Sequence, residues 1–120
     1  MSRRAFAHDA VVTLDPDGDD RAPGGAITVA LCGSWSHEPP CPLALHHTGV
    51  QRNGQEATLR VLFAADPEQE QRVRSLVEEA LTRGEGEDRD GVRTSWRLLR
   101  SAPSPVRDEE RDHADRLTRS

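Results

Sequence analysis

The chain holds two cysteines and five histidines, and five of these seven residues fall between positions 32 and 47: Cys32, His37, Cys41, His46 and His47. Even spreading would place about one in so short a window, so the clustering is not compositional accident. Written as a pattern it is C-x4-H-x3-C-x4-H-H. Thiolate and imidazole together suit zinc, which takes four such ligands tetrahedrally at ~2.0–2.3 Å. The same donors would also accept Cu(I) or iron. Prolines at 39, 40 and 42 stiffen the segment between the ligands and reduce the entropy lost on closure. A segment with no core of its own gains most from a metal clip, because binding free energy becomes folding free energy. The expected ligand set is Cys32, His37, Cys41 and His47, with His46 as the alternative fourth ligand. Four protein ligands close the coordination shell, which makes the ion structural rather than catalytic.

Other chemistries fit these residues less well. Cys41 lies between Pro40 and Pro42 and could be a thiol activated by a nearby histidine, but no third group orients such a pair. No catalytic residue is therefore assigned. Cys32 and Cys41 could form a disulfide or redox pair, yet no C-x-x-C motif is present. Asp15, Asp17, Asp19 and Asp20 resemble a calcium loop only in part, since Asp20 stands where an EF-hand needs glycine and Ala26 where it needs glutamate. Gly24-Gly25 lacks the spacing of a phosphate loop.

The elements that must position the cluster follow from patterning. Residues 10–14 (AVVTL) read as a strand, broken by the turn-rich DPDGDD at 15–20. Residues 26–32 (AITVALC) alternate Ile27, Val29 and Leu31 on one face and read as a second strand ending in Cys32. Asn53-Gly54 predicts a hairpin between 44–52 and 55–63. In that register His46 faces Val61 and His47 faces Arg60, which sends the two histidines to opposite faces of the sheet. Val73, Leu76, Val77, Ala80 and Leu81 make one apolar stripe on a helix over 67–83, with Gly84 as its stop. Residues 94–99 read as a last strand with Trp96 and Leu98 on one face. The expected fold class is α+β: a small antiparallel sheet of about four to five strands, in the order β-β-β-β-α-β, with one amphipathic helix on one face. Residues 1–100 form this single domain, and 101–120 read as a disordered charged tail.

Composition limits the function. The chain has 120 residues, of which 34% are hydrophobic and 31% charged, with net charge −5. Its basic residues are all arginine, which suggests a GC-rich, bacterial coding sequence. They are interspersed with acids and form no basic stripe, so nucleic-acid binding is not expected. No apolar run approaches the ~20 residues of a membrane span. Arg3-Arg4 could open an export signal, but His8 and Asp9 interrupt the stretch before an apolar region develops, so a cytoplasmic location is expected. The second sheet face, expected to carry Ala26, Ala30, Leu45 and Leu62, is too apolar for water and calls for a homodimer, a protein partner or a cover from the chain's own ends. The functional expectation is a small cytoplasmic protein with a structural zinc site that serves as a protein-interaction module. The alternative is a small metal- or thiol-dependent enzyme, or a metal-handling protein, using the same segment.

Overall fold

The computed structural model describes residues 3–32, 45–87 and 91–119. The chain is α+β, with five antiparallel strands and three helices: β1 (Arg4–Leu14), α1 (Ala22–Cys32), β2 (Leu45–Asn53), β3 (Glu56–Ala65), α2 (Glu70–Arg83), β4 (Glu85–Glu87), β5 (Arg93–Ser104) and α3 (Arg111–Arg119). Short 3-10 turns precede α2 and α3. The strand order is β2-β3-β1-β5-β4. Strand β1 is therefore central, and α1 and α2 follow β1 and β3 as crossovers. This is the split β-α-β, or ferredoxin-like, arrangement with an added β4 edge and an added C-terminal helix.

The core lies between the sheet and the α1–α2 layer. Even-numbered residues of β1 (Ala10, Val12, Leu14) and odd-numbered residues of β3 (Leu59, Val61, Phe63) meet Ile27 and Leu31 of α1 and Val73, Val77 and Leu81 of α2. The expected stripe of α2 is thus the buried one, and the helix ends at Gly84 in a left-handed conformation (φ 76°). A Cβ at Gly84 would stand 2.7 Å from the Trp96 carbonyl oxygen, so only glycine fits the turn between α2 and β4. Trp96 closes this corner. Its indole N–H donates to the Leu81 carbonyl at 3.0 Å, and its backbone N–H to the Gly84 carbonyl at 2.8 Å.

Three expectations change. Residues 26–32 belong to helix α1, not to a strand, so the order is β-α-β-β-α-β-β-α. An apolar run this short carries no decisive period: Ile27 and Leu31 alternate with Val29 as a strand would, and are also one helical turn apart. Pro23 suits the first turn of the helix. Its start is tied to Asp19, whose backbone carbonyl accepts from the Ala22 N–H at 3.1 Å and whose carboxylate accepts from the Arg21 N–H at 2.9 Å.

The hairpin register also shifts by two residues. Asn53 pairs with Glu56, and the turn residues are Gly54 and Gln55. Of these two, only Gly54 has positive φ (66°), the pattern of a type II′ turn with glycine at its first central position. His46 therefore faces Phe63 and His47 faces Leu62. A two-residue shift keeps every side chain on its expected face.

Finally, residues 101–104 complete β5 and 111–119 form α3, where a tail was expected. Helix α3 lies on the sheet face opposite α1 and α2, against β3, β1 and β2. Ala114 is buried there, as are Ala7, Val11, Leu62 and Ala64 of the strands. The apolar second face is thus covered by the chain's own C-terminus over β1 and β3. Ala26 and Ala30 sit on α1 instead of this face.

Arg60 holds the cover in place from the centre of that face. Its guanidinium donates to Asp9 Oδ1 at 2.8 Å, to Glu110 Oε2 and Oε1 at 3.0 and 2.7 Å, to the Pro105 carbonyl at 2.7 Å, and to Ser104 Oγ. Glu110 also accepts from the Arg107 N–H at 2.8 Å. These bonds hold the Glu110 carboxyl at a pKa of about 2, well below the usual carboxylate range.

Candidate functional site

Helix α1 and strand β2 frame the Cys/His segment. Cys32 is the last residue of α1, and β2 begins at Leu45. His37 and Cys41 lie outside the described residues, as does the stretch 33–44 that carries them. What the structure places is the two ends of that stretch. Thr28, one turn before Cys32, lies with its Oγ1 3.0 Å from His46 Nε2. The Thr28 hydroxyl donates to the Gly24 carbonyl at 3.2 Å. The hydroxyl thus bridges the backbone of α1 and the imidazole of β2. The bond orients the ring, and ligating histidines are commonly held by such an outer-shell partner.

His47 points the other way. It projects from the face opposite α1, where its ring meets that of His113 from α3, with centroids 4.7 Å apart and planes at 58°. The sheet thus separates His47 from the end of α1 that bears Cys32, while His46 shares that side. A strand ending in Cys32 would lie in the sheet and could share a face with His47; with Cys32 ending helix α1, His46 is the histidine of β2 on that helix's side. His113 was absent from the expected set because nothing local links it to position 47. Burial, and the neighbouring His47 and Arg116, hold its pKa below the ordinary histidine value. Among the described residues no three His, Cys, Asp or Glu side chains converge as a metal site.

A second polar cluster lies in the core. His8 (4% exposed) and Arg74 (7%) are buried between β1 and α2. The Arg74 guanidinium donates to the Ala7 carbonyl at 2.6 Å, to His8 Nδ1 at 3.1 Å and to Glu70 Oε2 at 2.8 Å. It stacks over Phe63 and Phe6, with centroid distances of 5.3 and 5.8 Å, a contact that offsets part of the cost of burying its charge. His8 Nε2 lies 2.7 Å from Ser101 Oγ. A serine–histidine pair at this distance invites a nucleophilic reading. The proton count argues against it. Nδ1 accepts from Arg74, so Nε2 carries the hydrogen, donates to Ser101, and cannot take the serine proton. Burial and the Arg74 charge both hold His8 below its ordinary pKa, so the ring is neutral. The cluster is a satisfied core network. Its sequence signature was available: His8 stands in the apolar register of β1 with Ala10, Val12 and Leu14, and Arg74 sits one turn before Val77 in the buried stripe of α2.

The helical layer also carries a groove of about 570 Å³ between α1, α2 and β4, floored by Ala26, Ala30, Leu76 and Ala80 and edged by Val29 and Arg83. No helix among the described residues is long and apolar enough to cross a membrane. No family model matches the chain, and no curated protein shows significant similarity to it in sequence. The ferredoxin-like arrangement hosts many unrelated activities, so function has to be argued from residues.

Proposed function

We propose that the chain is a small metal-binding protein in which Cys32, His37, Cys41 and His46 hold a structural zinc ion. The protein then serves as an interaction module for a protein partner. The observation that carries this reading is the His46–Thr28 bond of 3.0 Å. It brings the start of β2 to the last turn of α1, so the first and last of the four donors belong to elements that are already joined. The twelve residues between Cys32 and Leu45 contain the other two donors and three prolines. Two thiolates and two imidazoles fill a tetrahedral zinc shell without water.

Elemental analysis of purified, untagged protein tests the reading. One zinc per chain is expected, lost in Cys41→Ser and His46→Ala and kept in His47→Ala. Metal-free protein with both thiols freely titratable overturns it. Zinc kept in His46→Ala but lost in His47→Ala would return the fourth ligand to His47.

A further inference from the structure

We propose a second, exchangeable metal site on the opposite face of the sheet, in which His47 of β2 and His113 of α3 together bind a divalent first-row transition ion and lock the C-terminal helix onto the sheet. It uses neither the cysteines nor His46, so it stands apart from the zinc reading. The geometry comes from the ring pair. With metal–nitrogen bonds of about 2.0–2.1 Å the ion lies about 3.2 Å from each ring centre, so two imidazoles bound at 90–109° stand roughly 4.5–5.2 Å apart. The observed separation of 4.7 Å falls inside that interval. The rings are inclined at 58° instead of being stacked flat. His47 is exposed and His113 half-buried, so an ion can reach them from solvent and keep water in its remaining positions.

The two elements are already held together by other means. Arg60 ties Glu110, one turn before His113, to β3, and Ala114 is buried beneath the helix. The ring pair therefore forms without metal, and little ordering remains to be lost when an ion binds. At pH 8 an ordinary imidazole is neutral and able to ligate. Nickel is the suitable probe, since imidazole nitrogen is among its preferred donors. Chelation between β2 and α3 stabilises the folded chain by mass action, because the released C-terminus would present only separate imidazoles.

The test uses the full chain, first given one equivalent of zinc, with melting followed at pH 8 as Ni²⁺ is added to 1 mM. A rise in Tm of roughly 5 °C is expected for the native chain and for Cys41→Ser. No rise is expected for His113→Ala or His47→Gln. The second variant changes an exposed side chain, so it keeps the test decisive should His113→Ala unfold. An unmoved native Tm overturns the proposal. So does a rise that persists in His47→Gln, and a rise lost in Cys41→Ser would assign the nickel to the cysteine-bearing segment instead.

Discussion

Replacing Arg60 with alanine tests whether the C-terminus is part of the fold. Arg60 and Glu110 are both largely buried, with side chains 14% and 16% exposed. The substitution removes the shared partner of Asp9, Glu110, Ser104 and Pro105, and leaves the Asp9 and Glu110 carboxylates without the cation they share. Depression of the Glu110 pKa from 4.5 to about 2 sets a ceiling of about 3 kcal/mol on what its ionised form contributes. Breaking a fully buried pair costs ~3–5 kcal/mol, and this pair keeps some solvent. A loss of about 2–3 kcal/mol at pH 7 is therefore expected. The sign of the pH dependence follows from the shift. The folded-state pKa lies below the unfolded one, so the contribution is full above about 4.5 and disappears as pH falls towards about 2. Native protein and Arg60→Ala should thus differ in urea midpoint at pH 7 and converge near pH 2. Amide exchange adds a local readout, since α3 should lose protection before the strands do. A variant within about 0.5 kcal/mol of native, with α3 amides equally protected, would refute the claim that Arg60 holds the cover in place.

Two further substitutions probe the helical side. Gly84→Ala should cost about 2–4 kcal/mol in chemical denaturation, because φ of 76° is unfavourable for alanine and the new Cβ would meet the Trp96 carbonyl at 2.7 Å; a loss below about 1 kcal/mol would show that the α2–β4 turn relaxes freely. Ser101→Ala should cost about 1–2 kcal/mol by leaving the His8 Nε2–H unpaired; a loss below about 0.5 kcal/mol in chemical denaturation would show that the pair carries no stability.

The parts of the fold legible in the sequence are those set by local period. The α2 stripe, the Gly84 stop and the shared face of Trp96 and Leu98 all rest on neighbours within a turn or a strand. The faces of β2 survived a two-residue error in the turn because side-chain parity is insensitive to even shifts. Helix α1 was hidden by its composition: APGGAITVALC is apolar nearly all round, so neither a 3.6 nor a 2.0 period stands out. The C-terminal helix was hidden for another reason. It buries one alanine fully and relies on an arginine fifty positions upstream, and composition registers neither.

The adjacent histidines show how an element error can move a site. If 26–32 were a strand, Cys32 would lie in the sheet and its face would choose between His46 and His47. As a helix, α1 lies wholly on one side of the sheet, so the parity of β2 decides which histidine shares that side. That parity puts His46 beside Thr28 and His47 beside His113. Two neighbouring residues of one type thereby serve different ends of the chain. His46 faces α1, the helix that ends in Cys32, His47 faces the C-terminal helix, and one layer of sheet separates them. Substituting one should leave the other's partner contact in place, and metal bound on one side need not report metal bound on the other.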